Sequence, residues 1–185
     1  MSRPRGRPTQ GAGVSREGIL AAALELLEEG GGKGLSMRAL AARLGVTPMS
    51  LYHHVQDHAS LLRALSDRIY GEVMDGQEEG AAPLEVIRGL LCRYHDAVGR
   101  HPQLTLAIFS EPDAFAGVSR QITDHLTAQL AAITSEPVLW RDILVDHAHG
   151  SGLALASARG RPGEAPMLSE RYRQALDRLL ARLAP

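Results

Sequence analysis

The segment 46–55, VTPMSLYHHV, brings two hydroxyls, a phenol and two imidazoles together within one short stretch. Thr47-Pro48 is typical of a helix start, because proline needs no N–H donor in the first turn and threonine can accept an orphan backbone donor. The predicted helix is about two turns long, and Leu51 is its obvious buried anchor. Polar groups on so short a helix indicate hydrogen bonding to an external partner, through Ser50, Tyr52, His53 and His54.

The residues just before this helix predict how it is held in place. Ala41, Gly45 and Leu51 are spaced as in a helix-turn-helix. That unit needs a small residue where the helices touch, a glycine able to take positive φ in the turn, and an apolar anchor in the second helix. Its second helix enters the DNA major groove by the amino-terminal part, so it can be short. An αα-hairpin in a plain helical bundle shows similar spacing, and both interpretations stay open at this point.

Apolar residues recur at helical spacing along most of the chain, and no long stretch alternates with the period of two that a strand shows. Ser, Asp, Gly and Pro residues mark the predicted starts and stops. The sequence therefore predicts an all-α fold of about nine helices. The first runs from Ser15 to the GGGKG at 30–34, and the others cover Met37–Leu44, a short third helix after Thr47, a fourth from Asp57 to Met74, and 84–99, 102–110, 113–133, 137–159 and 168–183.

Two composition changes divide the chain into three predicted parts. Residues 1–14 are rich in Pro, Gly and Arg and predict a flexible basic arm. The polar, Gly-rich segment 75–83, DGQEEGAAP, marks the next boundary. We therefore expect a helix-turn-helix domain with its connecting fourth helix over 15–74, and a larger helical domain over 75–185.

The run GLSMRALAARLGVTPMSLYHHVQDHASLL, at 34–62, resembles the amino-terminal domain of the tetracycline-repressor (TetR) family of bacterial transcriptional regulators. The specific match covers about residues 15–65, and beyond it the number and lengths of the helices are similar. The resemblance implies a ligand-responsive DNA-binding regulator, a repressor released from a palindromic operator by a small molecule. It also implies a homodimer without a cofactor. The matching positions are Gly34, Leu35, Ser36, Arg38, Leu40, Ala41, Leu44, Gly45, Val46, Leu51, Tyr52, His54, Val55, Leu61 and Leu62.

The resemblance also implies roles for the polar residues around the short helix. The helix caps can touch phosphates, Arg38 reaches a base edge or a phosphate, and the leading edge of the recognition helix faces the bases. The predicted DNA-binding residues of this domain are Ser36, Arg38, Thr47, Pro48, Met49, Ser50, Tyr52, His53, His54 and His58.

The predicted contacts depart in two respects from what the family leads us to expect. His58 stands where the family usually has a phosphate-binding lysine, which weakens that contact or makes it dependent on pH. The leading edge also lacks Arg, Asn and Gln, the side chains best suited to bidentate base readout. Pro48 and Met49 suggest apolar contact with thymine methyl groups, so specificity would depend on few bases and on DNA shape.

The basic arm carries Arg3, Arg5 and Arg7 and no acid, and we count these arginines among the predicted DNA contacts. Its PRGRP, at 4–8, resembles the core of an AT-hook, which lies in the narrow A·T minor groove. An unstructured basic tail with nonspecific affinity explains the same residues equally well. RGRP recurs at 159–162, where arginine followed by glycine and proline is ordinary helix-stop chemistry.

For the larger domain, the resemblance implies a small-molecule cavity inside a helical cage and dimerisation through the last two long helices, 137–159 and 168–183. Small residues in HAHGSGLALASA, at 147–158, allow close helix approach, either within the chain or across the dimer. Polar-tipped or aromatic residues in the predicted helices are the candidate ligand contacts. These are Tyr94, His95, Phe109, His125, Trp140 and His147.

Composition and motifs limit the other classes of function. Hydrophobic residues make up 44% and charged residues 22%, and no apolar run is long enough to cross a bilayer. The single cysteine, Cys92, excludes an internal disulfide framework and fits a reducing cytoplasm. A phosphate loop, an HExxH and a nucleophile elbow are missing, so we expect no enzyme and no metal site. A DNA-architectural or interaction module without a ligand remains the alternative, distinguished by the lack of a cavity.

Overall fold

A computed structural model of the protein describes residues 14–76, 80–161 and 163–183. Within these ranges the chain forms nine α-helices, one short 3₁₀ turn and no strand, which confirms the predicted all-α fold. The helices are α1 (Arg16–Gly34), α2 (Met37–Leu44), α3 (Pro48–Tyr52), α4 (His58–Met74), α5 (Pro83–Arg100), α6 (Pro102–Ser110), α7 (Val118–Ala131), α8 (Pro137–Ser157) and α9 (Glu164–Leu180), with the 3₁₀ turn at Pro112–Ala114.

The first four helices begin at the predicted side-chain caps. Ser15 and Ser36 each accept a hydrogen bond from the backbone N–H three residues ahead, at 3.0 and 3.1 Å. Thr47 caps α3 in the same way, and Asp57 accepts the backbone N–H of Ser60 at 2.6 Å. Each cap satisfies one of the orphan N–H groups that a helix start leaves. The predicted bounds of α2 and the predicted end of α4 are confirmed.

Glycine and proline residues explain how the ends of three helices compare with the prediction. The regular helix of α1 is interrupted at Gly31, whose φ of 64° is non-helical, and the element ends at Gly34, so the predicted stop at 30–34 is confirmed. The predicted helix 113–133 is divided, because Gly117 has a φ of 58° and α7 starts only at the next residue. The α9 helix begins at Glu164, earlier than predicted, since Pro166 falls in the first turn, where no N–H is needed.

The amino-terminal helices share one apolar core. Ile19 and Leu27 of α1, Leu40 of α2 and Leu51 of α3 are all completely buried. The α1 helix also packs on α6, and α4 packs on α5 and α7. The helix-turn-helix is therefore joined to the rest of the molecule through α1 and α4.

The larger domain is built around the crossing of α5 and α8. Gly99 and Gly152 lie at this crossing, and a Cβ atom on Gly152 would come within 2.7 Å of the Val98 side chain. The small residues of α8 thus serve packing within the chain at Gly152, whereas Gly150 has open space around it. The α7 and α9 helices pack on the two sides of this pair.

Candidate nucleic-acid interface and ligand cavity

The turn between α2 and α3 has the geometry that its sequence predicted. Gly45 adopts the left-handed conformation, with φ 65° and ψ 29°, and ends α2. The next backbone N–H, that of Val46, donates to the carbonyl of Ala41 at 3.0 Å. Ala41 is 2% exposed and Leu51 is completely buried, so a small contact residue and an apolar anchor hold the two helices together.

The short α3 helix presents its remaining side chains outward. Met49 is 69% exposed and Tyr52 is 46% exposed, so both side chains are accessible to an external partner. The Thr47 and Ser50 hydroxyls lie 3.0 Å apart at the amino-terminal end of the helix. The other exposed predicted contacts are Ser36, Arg38, Pro48, His53 and His54.

The positive charges of this domain are not all available to a partner. Arg43 forms ion pairs with Glu25 at 3.5 Å and with Glu29 at 2.6 Å, and its hydrogen bond lowers the pKa of the Glu29 carboxyl. Arg38 is exposed and has no ion-pair partner among the residues that the structure describes. Arg38 is therefore the cation on α2 that remains available to an anionic ligand.

One predicted contact, His58, is less exposed than the others, and three lie outside the described residues. His58 is half-buried at the start of α4, and its buried Nε2 atom has no hydrogen-bond partner in the described parts of the chain. Its imidazole is consequently less accessible than those of His53 and His54. The arm arginines Arg3, Arg5 and Arg7 lie outside the described residues.

A cavity of about 700 Å³ lies in the larger domain between α4, α5, α6, α7 and α8. It is larger than the clefts of about 520 and 430 Å³ elsewhere in the described structure, and it has aromatic walls. Its volume lies in the usual range for small-molecule sites. Its lining includes Tyr70, Tyr94, Thr105, Ile108, Phe109, Pro112, Phe115, Ser119, Arg120, Ile122, Thr123, Asp124, Arg141, Asp142, Val145, Asp146 and His149.

Two hydrogen-bonded pairs form the inner polar wall of this cavity. The Tyr70 hydroxyl lies 2.7 Å from Thr105 Oγ1, and burial raises the pKa of Tyr70 to about 12. The Tyr94 hydroxyl lies 2.5 Å from His149 Nε2. Burial raises the pKa of Tyr94 and lowers the pKa of His149, with Asp146 opposing the second shift, so the pair is held as a neutral phenol and a neutral imidazole.

The six candidate ligand residues are divided between the cavity and the core. Tyr94 and Phe109 line the cavity. His95 is 1% exposed and stacks on the Tyr172 ring with centroids 3.8 Å apart. His147 also stacks on the Tyr172 ring, with centroids 5.1 Å apart. Neither His95 nor His147 lines the cavity, and the same is true of His125 and Trp140.

Sequence reasoning missed the face of α8 that forms one cavity wall. Arg141, Asp142, Val145, Asp146 and His149 all line the cavity and recur at spacings of three and four. That spacing was available as a signal, but a mixed polar and apolar stripe is equally typical of a solvated face. The packing of α7 against α8 decides between the two, and no local pattern shows it.

The α4 helix connects the cavity wall to the helix-turn-helix. Asp67 accepts the backbone N–H of Val118 at 2.8 Å, and the Ser66 hydroxyl lies 2.7 Å from that of Ser119, which lines the cavity. Arg63 donates to the carbonyl of Asp113 at 2.8 Å. A displacement of the segment 113–119 would therefore act on α4 through three hydrogen bonds.

Other chemistry finds little support in the described ranges. They contain no group of three or more His, Cys, Asp or Glu side chains placed to hold a metal ion. Burial raises the pKa of the Cys92 thiol, and the His95 ring nitrogens lie 3.2 Å from Asp96 Oδ1 and Ser151 Oγ. Cys92 and His95 thus do not form an activated thiolate pair. No helix among these residues combines the length and apolarity needed to cross a membrane.

Comparison with known proteins agrees with this geometry. Residues 19–65 match the model of bacterial regulatory proteins of the TetR family. The class D tetracycline repressor of Escherichia coli is 47% identical over 58 residues, which cover 31% of this chain and only 27% of the repressor. The sequence match to that repressor thus spans less than a third of either protein.

Two solved structures extend the likeness to the whole fold. A TetR transcriptional regulator from Streptomyces coelicolor is 25% identical, with a TM-score of 0.70 over 91% of this chain and 97% of that one. BioQ of Mycobacterium smegmatis is also 25% identical, with a TM-score of 0.75 over 92% and 97%. The larger domain is therefore shared in architecture with both proteins.

Proposed function

The chain belongs to the TetR family of bacterial regulatory proteins, and we propose that it is a transcriptional regulator whose binding to operator DNA is controlled by a small molecule. The observation that carries this proposal is the exposed outer side of α3, held by a buried Leu51 and flanked by the exposed Arg38. We expect a repressor that the small molecule releases from its operator.

The α3 helix enters the major groove in this proposal. Pro48, Met49 and Ser50 face the bases, and Met49 contributes apolar contact with thymine methyl groups. Thr47, Tyr52 and His54 contact phosphates, which position the domain without reading sequence. Ser36 and Arg38 contact the backbone or a base from α2, His53 lies at the groove wall, and His58 adds little because it is half-buried. The arm arginines add further contacts, to phosphates or in the minor groove.

A homodimer is part of the proposal, because one short helix offers too little contact for specific binding. The α8 and α9 helices supply the interface. Val138, Leu139 and Ile143 of α8 are 51%, 52% and 39% exposed, and Met167 of α9 is 44% exposed. Leu139 and Ile143 are four residues apart and share one face of α8, and exposed apolar side chains on one face favour an interface. Gly150 on α8 leaves open space for a second helix.

The cavity favours a ligand-responsive regulator over an architectural module, which needs no cavity. A ligand shifts the equilibrium only by binding one arrangement of the protein more tightly than another. The bonds from Ser66 and Asp67 to the segment at Val118 and Ser119 supply a path from the cavity to the helix-turn-helix. Catalysis by Cys92 is not part of this proposal, because burial raises the pKa of its thiol.

The proposed function is tested by selecting bound sequences from a random DNA library with the full-length protein. We expect an enriched inverted repeat whose two half-sites are about one helical turn apart. Met49→Ala should change the preferred bases, whereas Gln56→Ala, an exposed neighbour outside the predicted interface, should select the same repeat. Failure to enrich any sequence, or enrichment of one asymmetric site by a monomer, would overturn the proposal.

A further inference from the structure

The walls of the cavity carry aromatic surface that the protein itself leaves uncovered. Phe109 is 61% exposed and Phe115 is 43% exposed, although both line the cavity. The Phe109 ring lies edge-on to that of His149 with centroids 4.8 Å apart, and Tyr94 lies 5.6 Å from Tyr70. Exposed phenylalanines in the lining of a cavity indicate that a flat apolar molecule covers them when it is bound.

The inner polar atoms have little hydrogen-bonding capacity left for a ligand. Tyr70 pairs with Thr105, whose hydroxyl in turn donates to the carbonyl of His101 at 3.2 Å. Tyr94 pairs with His149. Because these donors are already used, the inner end of the cavity offers mainly ring faces and edges. An anionic group placed there would find few free donors and would lose its hydration.

The charged side chains that line the cavity carry a net negative charge. Arg141 is paired with Asp142, with Nη2 at 2.7 Å from the carboxylate. Asp124, Asp146 and Arg120 have no ion-pair partner within the described ranges, which leaves two carboxylates against one guanidinium. Burial lowers the pKa of His149, so this imidazole adds no positive charge at neutral pH.

We propose that the cavity binds an aromatic monocation, whose flat body lies against Phe109 and Phe115 and whose charged amine faces Asp124 and Asp146. The proposal rests on the proposed function, because it names the chemical class of the effector for the same cavity. The aromatic walls add to the preference, since ring faces attract cations. Asp124 and Asp146 come from α7 and α8, so one bound cation faces carboxylates on two helices.

Three fluorescent probes that share one ring system test this assignment. They are the cation (9-anthracenylmethyl)trimethylammonium, the neutral 9-anthracenemethanol and the anion 9-anthracenecarboxylate. Fluorescence anisotropy with the full-length protein should show the tightest binding for the cation and the weakest for the anion. Val145→Trp, which fills the cavity, should abolish binding of all three, and Thr123→Phe does the same should the first variant fail to fold.

Charge-removing variants separate electrostatic preference from shape. Asp124→Asn and Asp146→Asn should each weaken the cation by up to about fivefold, the scale of one partly exposed charge pair, and should leave the neutral probe unchanged. Glu85→Gln, which removes an exposed carboxylate outside the cavity, should change neither affinity. Equal or tighter binding of the neutral or anionic probe, or no binding of the cation, would overturn the assignment.

The same probes distinguish failure of this inference from failure of the proposed function. When the cation occupies the cavity without changing affinity for the selected DNA, the ligand class stands and ligand control of DNA binding is wrong. When the cation does not bind but another molecule releases the DNA, ligand control stands and the aromatic monocation is wrong.

Discussion

The residues of the helix-turn-helix lie close together along the chain, whereas the residues that line the cavity are spread over a long stretch of it. The predicted DNA contacts that the structure describes lie between Ser36 and His58, on two adjacent helices and the start of a third. The cavity lining extends from Tyr70 to His149 and comes from five helices and a 3₁₀ turn. One site therefore depends on a tight turn, and the other depends on how distant helices cross.

This difference has a physical consequence for how each site tolerates change. The helix-turn-helix needs particular residue types at a few positions, such as the left-handed Gly45 and the buried Leu51. The cavity needs only that the helices around it keep their spacing, while many side chains can line it. The following substitutions test whether the two regions are as separate as this comparison implies.

The largest effect should come from Leu51→Ala in the core of the helix-turn-helix. Leu51 is completely buried, so its truncation should cost about 2–5 kcal/mol in the free energy of unfolding. Denaturant unfolding and DNA binding measure the loss, and Leu106→Ala, at a 44% exposed position, serves as the control. DNA affinity should fall while the cavity still binds the cationic anthracene probe. Parallel loss of both activities would show that the two regions are not separate.

A smaller effect is expected from Gly152→Ala at the crossing of α5 and α8. The new methyl group would lie 2.7 Å from Val98 Cγ1 and 3.1 Å from the carbonyl oxygen of His95. Such overpacking typically costs about 1–3 kcal/mol. Gly150→Ala, which meets open space in the same helix, should instead stabilise the monomer fold by roughly 0.5–1 kcal/mol. Equal melting temperatures for the two variants would contradict the packing described for α8.

Tyr52→Phe should change DNA binding without changing folding. The substitution removes only the hydroxyl from a 46% exposed ring, so the melting curve should stay the same. Losing one hydrogen bond to a phosphate should weaken DNA binding by about 1 kcal/mol, or roughly fivefold. The weakening should be similar for preferred and random sequences, because a phosphate contact does not read bases. An unchanged affinity would remove Tyr52 from the interface.

The smallest effect concerns pH and belongs to the larger domain. Burial lowers the pKa values of His101, His147 and His149 from 6.5, so the folded state binds fewer protons than the unfolded state just below that pH. Stability is therefore complete above 6.5 and falls as the pH decreases from there towards the folded pKa values. Burial raises the pKa of Glu28, which opposes this loss in more acidic solution.

Denaturant unfolding at intervals between about pH 7.5 and 5.5 measures this slope. His147→Gln should flatten it, because the variant removes one buried group that titrates in this window. His53→Gln, which alters an exposed imidazole of the helix-turn-helix, is the matched control and should leave the slope as it was. If only the control variant flattened the slope, the pH dependence would belong to the helix-turn-helix and the prediction would be wrong.

Sequence reasoning reached further in the helix-turn-helix than in the cavity, for a reason that the residues make plain. The caps at Ser36 and Thr47 and the left-handed Gly45 act within a few residues, so a short stretch of sequence is enough to predict them. Tyr94 and Phe109 were named as ligand candidates and line the cavity, but His95 was named with them and is stacked on Tyr172. Both histidine and tyrosine suit a cavity or a core equally well.

The cavity residues of α8 show why the rest could not be read from the sequence. Asp142 and Asp146 share a helix face, which predicts equally well a solvated surface or a cavity wall. The face is a cavity wall because α7 packs against α8 and brings Asp124 and Arg120 to the same cavity. A contact between two separate helices leaves no periodic signal in either of them.

We expect occupancy of the cavity to change the separation of the two α3 helices in the proposed dimer. Spin labels at Gln56→Cys in a Cys92→Ala background follow that separation, since Gln56 is exposed outside the predicted DNA interface and Cys92 is the one cysteine of the chain. With the selected DNA we expect one narrow distance, set by two α3 helices about 34–36 Å apart, one helical turn. Adding the cationic anthracene probe without DNA should shift the distribution away from that value. An identical distribution in both conditions, or no distance at all, would contradict the account.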